Sequence, residues 1–111
     1  MFVSVSTLLL ATSVVLAADN IPAFNVEPHC RTIAVRTGVP QDRDVCLQQE
    51  QAAKQQLVTQ WGEFALAEKS HCLRLSTLGS DPTYTELLAC LELDRDARRQ
   101  REQNERRKTE R

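Results

Sequence analysis

Two His-Cys dipeptides, His29-Cys30 and His71-Cys72, are the residues of this 111-residue chain whose types could do chemistry. Two imidazoles and two thiolates would complete a tetrahedral zinc or copper site. Against that reading, neither dipeptide belongs to a Cys-x-x-Cys or His-x-x-x-His arrangement. Thiols carried into an oxidising compartment also pair with one another. Metal handling by the two His-Cys pairs is therefore the alternative reading, and no metal or cofactor is expected. Enzymatic chemistry has less to stand on. The chain has no Gly-rich phosphate loop, no Gly-x-Ser-x-Gly elbow and no Cys-x-x-Cys-His haem attachment. Glu63, Glu68, Glu86 and Glu92 are carboxylates on helical segments with nothing to pair them, so the chain is not expected to be an enzyme.

The compartment decides how the cysteines are read. The first eighteen residues carry no charge, and the apolar run Val3 to Leu16 ends at the small residues Ala17 and Ala18. That is the pattern of a secretory signal peptide over residues 1–18, although its amino-terminal region lacks a Lys or Arg. A spanning helix needs about 20 apolar residues, so cleavage is favoured over a membrane anchor. The expectation is a periplasmic or secreted protein with no membrane span after cleavage. In such a setting four cysteines, Cys30, Cys46, Cys72 and Cys90, argue for two disulfides. The body left after cleavage is small, and at that size a hydrophobic core alone supplies roughly 3–5 kcal/mol.

Four helices are needed to place these residues. Tyr84, Leu87, Leu88 and Leu91 fall at i, i+3, i+4 and i+7, and Cys90 borders that stripe, making it the best packing surface in the chain. Residues 19–27 contain Pro22 and no periodicity, and read as an extended arm. Pro28 opens a short helix from His29 to Thr37 that Gly38 stops. Pro40 opens a second helix reaching about Trp61, with Asp42 and Asp44 suiting its positive end and Cys46, Ala53 and Leu57 on one arc. Gly62 breaks that run, so Trp61 and Phe64 should bracket the turn and close the core. A third helix spans Leu66 to Leu78, with Leu66 and Leu73 on one face and Cys72, Leu75 and Leu78 on another. Gly79 then ends it, Ser80 or Asp81 caps the next helix, and Pro82 enters its first turn.

The last helix changes character after Leu93. From Asp94 to Arg111 there are eight basic and five acidic residues, and Asp94/Arg98, Arg98/Glu102, Arg101/Glu105 and Glu102/Arg106 are i, i+4 pairs of opposite sign. The segment lacks an apolar face and should project as a solvated, fraying helix that is disordered from Lys108. Its Arg98, Arg99, Arg101, Arg106, Arg107 and Lys108 are the candidate partner-binding residues, for an acidic protein or an anionic envelope component. The whole chain carries a net charge of -1, which gives no argument for nucleic acid.

Helix rise constrains the cysteine pairing. If helices two, three and four run up, down and up, Cys72 lies about 9 Å below the top of helix three and Cys90 reaches a similar level on helix four. Cys46 lies about 22 Å below Trp61, near the bottom. Disulfides need Cα atoms within about 7 Å. Cys72 with Cys90, and by remainder Cys30 with Cys46, is the pairing this arrangement permits.

The segments Pro28-His29-Cys30-Arg31, Trp61-Gly62-Glu63-Phe64 and Tyr84 to Glu92 resemble small exported cysteine-containing proteins of alphaproteobacteria, over about Pro22 to Arg98. The resemblance implies a bacterial periplasmic setting and brings no activity or catalytic residues. The expectation is thus all-α: a small disulfide-stapled three- to four-helix bundle over residues 28–93, with a charged tail over 94–111. It would act by protein contact rather than catalysis.

Overall fold

A computed structural model describes residues 20–110, so the expected leader over residues 1–18 lies outside the described residues. Within them the chain forms α1 (Glu27–Thr37), α2 (Asp42–Gln60), a single 3-10 turn at Trp61–Glu63, α3 (Leu66–Ser76) and α4 (Tyr84–Thr109), with no strand. The all-α, disulfide-stapled architecture expected from the helical patterning is the one observed.

The helices are arranged about α4. Both α2 and α3 lie against it, and α1 lies against α2. Side-chain pairs fix the directions. Glu50 of α2 meets the start of α4 at Tyr84, and Gln60 meets Arg95, so α2 and α4 run the same way. Glu68 of α3 meets Arg98 and His71 meets Asp94, so α3 runs against α4. That is the up-down-up order on which the cysteine pairing was built. Cys30 bonds to Cys46 and Cys72 to Cys90.

The stripe Tyr84, Leu87, Leu88 and Leu91 is buried together with Ala53, Leu57, Trp61, Phe64 and Cys72. Burying side chains of this size contributes about 1.5–3 kcal/mol each, and this is the main force holding α2 to α4; α3 adds Cys72, with Leu73 packed alongside. Three cations lie over the aromatic core residues: Lys54 over Tyr84 at 5.5 Å, Lys69 over Trp61 at 5.0 Å and Arg95 over Phe64 at 5.2 Å. Their alkyl stems cover apolar surface while the charges face the rings.

Three local expectations need correction. The cap of α4 is Thr83, whose hydroxyl accepts from the Glu86 backbone N–H at 3.2 Å, and not Ser80 or Asp81. Pro82 accordingly precedes the cap instead of entering the first turn. Next, α3 ends at Ser76, three residues before Gly79, and the positive φ among the described glycines is at Gly38. There a left-handed residue closes α1 through a 3.0 Å bond from the Gly38 N–H to the Ala34 carbonyl. Finally, Leu66, Leu75 and Leu78 are exposed, and the buried residues of α3 are Glu68, Lys69, Cys72 and Ser76. The inward face of α3 is polar because each charge on it has a partner: Glu68 has Arg98, and Lys69 has the Trp61 ring.

The arm expected over residues 19–27 is more than an extended segment. The Tyr84 hydroxyl donates to the Pro22 carbonyl at 3.0 Å and accepts from the Phe24 N–H at 2.8 Å, and the Phe24 and Tyr84 rings lie 5.0 Å apart. With Ile21, Phe24 and Val26 packed against the core, the segment 20–26 belongs to the folded unit.

Candidate functional site

Side chains able to do chemistry converge where α3 crosses α4. Ala67, Glu68 and His71 on α3 face Asp94, Ala97 and Arg101 on α4 across a groove of about 280 Å³. On α4, Cys90, Asp94, Ala97 and Arg101 follow one another at i, i+4, i+7 and i+11, so one helical stripe carries the disulfide and the groove wall. Ala67 and Ala97 are the small residues of its lining.

The centre of this region is a four-residue cluster. His71 Nδ1 lies 2.7 Å from Asp94 Oδ2, and Cys72 Sγ lies 3.6 Å from the same carboxylate oxygen. One ligand atom from each of His71, Cys72, Cys90 and Asp94 comes within 4.8 Å of all the others. Cys72 is fully buried and Cys90 half-buried, whereas the His71 and Asp94 side chains are 46% and 31% exposed. The sulfurs therefore form the floor and the imidazole and carboxylate the rim.

Glu68 fixes the relation of the two helices at the other end of the groove. It accepts from the Ala65 N–H at 2.8 Å, satisfying the first turn of α3, and from Arg98 Nε at 3.1 Å. Burial pushes its carboxyl up, but the Arg98 hydrogen bond and the Ala65 N–H together outweigh burial and hold it below the usual carboxylate range. The Arg98 guanidinium is raised in turn, first by its hydrogen bond to Glu68.

The candidate residues of the two His-Cys pairs separate. His71 and Cys72 join the cluster; His29 and Cys30 do not, and Cys30 is sealed against Cys46 at the α1–α2 contact. The tail candidates also divide. Arg98 is committed to Glu68 and donates to the Glu63 carbonyl, and Arg99 lies 4.0 Å from a Glu63 carboxylate oxygen. Arg101 lines the groove, while Arg106, Arg107 and Lys108 stand exposed on the last turns of α4. The tail does not begin at residue 94, because Asp94, Arg95 and Arg98 all bind the body. Nor does order end at Lys108, since α4 continues to Thr109.

Among the four carboxylates considered for catalysis, Glu68 and Glu63 meet arginines and Glu86 and Glu92 enter no cluster of ligand-bearing residues among those described. Sequence reasoning missed Asp94 as a site residue, having read it as the first charge of the tail. The signal was its place one turn after Cys90, on the same face. It also missed Glu50, a buried carboxylate that accepts from the Tyr84 N–H at 2.7 Å and the Thr85 hydroxyl at 2.5 Å, capping α4 from another helix.

No helix among the described residues is long and apolar enough to cross a membrane. Comparison of the chain with protein-family models, curated proteins and solved structures gives no match.

Proposed function

We propose that this is an exported interaction module of the periplasm, acting by contact, in which the disulfide-stapled body holds out the last turns of α4 to an acidic protein surface. The observation that carries the reading is the continuation of α4 beyond the body. From Arg99 to Glu110 every residue is exposed, and the segment after Gln100 carries Arg101, Arg106, Arg107 and Lys108 against Glu102, Glu105 and Glu110. A helix that packs on nothing along its last turns gains no core burial there, so its amphipathic requirements are relaxed and its surface is free to meet a partner. Arginine, three of the four cations there, suits bidentate pairing with carboxylates. The two disulfides and the leader-like first eighteen residues support the oxidising compartment.

The test is photo-crosslinking in cells expressing the full chain, with the reactive group at the neutral position Gln103 and a control at Gln51 on exposed α2 surface. The expected result is a discrete adduct with an acidic protein from Gln103 and none from Gln51. Arg106→Glu with Arg107→Glu should abolish it while thermal unfolding stays unchanged. An adduct that survives the charge reversal, or a tail that crosslinks only to glycan or lipid, overturns the acidic-protein reading.

A further inference from the structure

We propose that the Cys72–Cys90 disulfide is the closed form of a zinc site, opened by reduction, in which His71, Cys72, Cys90 and Asp94 supply the four ligands. The inference stands on this cluster and does not depend on the tail's partner. The geometry that supports it is the mutual approach of all four donor atoms within 4.8 Å, two from each of two antiparallel helices. A tetrahedral zinc ion with bonds of about 2.0–2.3 Å needs donor atoms about 3.3–3.8 Å apart. The cluster reaches that spacing by side-chain rotation once the sulfurs are no longer bonded to each other.

The donor set selects the metal. Two thiolates, one imidazole and one carboxylate form a mixed soft and hard set that suits zinc, whereas copper(I) would leave the carboxylate without a role. Those ligands carry three negative charges against the two positive charges of the ion. Arg101, on the wall of the same groove, faces the resulting negative site. The contact between Asp94 and His71 shows that the two side chains reach one point from opposite helices, and a bound ion would replace the hydrogen bond between them.

The redox step balances with a dithiol as reductant. A dithiol thiolate attacks a sulfur of the protein disulfide. Cys90, half-buried, is more accessible than Cys72, which is fully buried. The Cys72–Cys90 bond breaks, a mixed disulfide forms, and the second thiol of the reductant resolves it into its own disulfide. Two electrons and two protons pass to the protein, leaving thiols at Cys72 and Cys90. Zinc then binds both sulfurs as thiolates, and the two protons leave to solvent. Oxidation of the two thiolates by a disulfide of higher potential returns the electrons, re-forms Cys72–Cys90 and releases the ion.

Cys30–Cys46 supplies the internal control. It is sealed, at 0% and 6% exposure, and belongs to no group of three or more donor-bearing residues among those described. Reduction there should create no metal site.

The experiment is anaerobic titration of the full chain with Co²⁺ and Zn²⁺, before and after reduction with a phosphine. The reduced protein is expected to bind one ion per chain, with the visible bands of tetrahedral cobalt and a thiolate charge-transfer band, and Zn²⁺ should displace the cobalt. The oxidised protein should bind neither. His71→Ala and Asp94→Ala should each weaken the reduced site at least about tenfold, since loss of even an outer-shell partner commonly costs 10–100-fold. His71 is exposed and Asp94 half-buried, and thermal unfolding of the oxidised variants compared with wild type separates ligand loss from misfolding. A Cys30→Ser, Cys46→Ser double variant should keep the site. Absence of a stoichiometric ion after reduction, binding indifferent to His71 and Asp94, or loss of binding with Cys30 and Cys46 instead overturns the proposal.

Discussion

The two disulfides have similar spans in the chain, with sequence separations of 16 and 18, yet they sit in different chemical worlds. Cys30–Cys46 joins α1, a helix with one buried residue, to α2, and both of its cysteines are shielded from solvent. Cys72–Cys90 joins two helices that already share the core, and its neighbours include an imidazole and a carboxylate. Each is flanked by an ion pair, Glu27–Arg43 beside the first and Glu68–Arg98 near the second. A cross-link to a helix that gives no residue to the main core cluster is structural. One that duplicates existing packing is free to open, and the donor groups around it give that opening a consequence.

Removing the bonds one at a time gives the largest expected effects. Loops of this size predict a loss of about 3 kcal/mol for either disulfide if chain entropy alone acts. The difference should lie in where the loss appears. Cys30→Ala with Cys46→Ala should release α1 locally, so that amides of residues 27–37 lose hydrogen-exchange protection while α2, α3 and α4 keep theirs. Cys72→Ala with Cys90→Ala should lower the global unfolding midpoint in denaturant and leave the native protection pattern in place. Equal local opening around both bonds would erase the contrast.

The next effect concerns what holds α4 without a disulfide. Glu50 satisfies the Tyr84 N–H and the Thr85 hydroxyl from a buried position. Glu50→Ala leaves the buried Tyr84 N–H unpaired and should cost about 1–3 kcal/mol in chemical denaturation. If the loss is absent, α4 is anchored by its apolar stripe and Cys72–Cys90 alone.

Glu68 should show a smaller effect with a pH signature. Its folded pKa lies below the ordinary glutamate value because Arg98 and the Ala65 N–H outweigh burial. The contribution is therefore fully present above the unfolded pKa, near 4.3 for a glutamate, and is lost as pH falls through the lower folded value. Glu68→Gln keeps the size and exchanges charge-assisted bonds for neutral ones, with an expected loss of about 1 kcal/mol at neutral pH. Stability of the variant should then fall less steeply than wild type between the unfolded value and the lower folded one. Parallel acid limbs would show that Glu68 is solvated in the folded protein.

How much of this was legible depended on whether the pattern was apolar. The α4 stripe and the Ala53/Leu57 arc were readable because buried leucines repeat at helical spacing, and the pairing followed from rise per residue once the helices were ordered. The inward face of α3 was not readable, because Glu68 and Lys69 occupy positions where a pattern search expects leucine. Their burial depends on Arg98 and Trp61, thirty residues later and eight residues earlier. Asp94 was hidden for the same reason: a charge in a charged tail looks solvated until α3 brings His71 to it. The α4 cap was legible and misread, since Thr83-Tyr84-Thr85-Glu86 carries the Thr-x-x-Glu spacing of a capping box.

The smallest effect is expected at the ion pair beside the sealed disulfide. Glu27 and Arg43 are 34% and 40% exposed, and the Arg43 guanidinium is raised first by its hydrogen bond to Glu27. Solvent screens a pair this open, and holding two long side chains together offsets much of the attraction. Glu27→Gln in the oxidised protein should therefore leave the thermal midpoint within error of wild type. The same substitution after Cys30 and Cys46 are removed should matter more, because α1 would then depend on that pair and on the packing of Ile33 and Ala34. Exchange at residues 27–37 measured in the four variants of that cycle isolates the coupling. A coupling of zero would mean that the disulfide alone sets α1 in place; a positive one would mean that the pair positions α1 and the bond only fastens it.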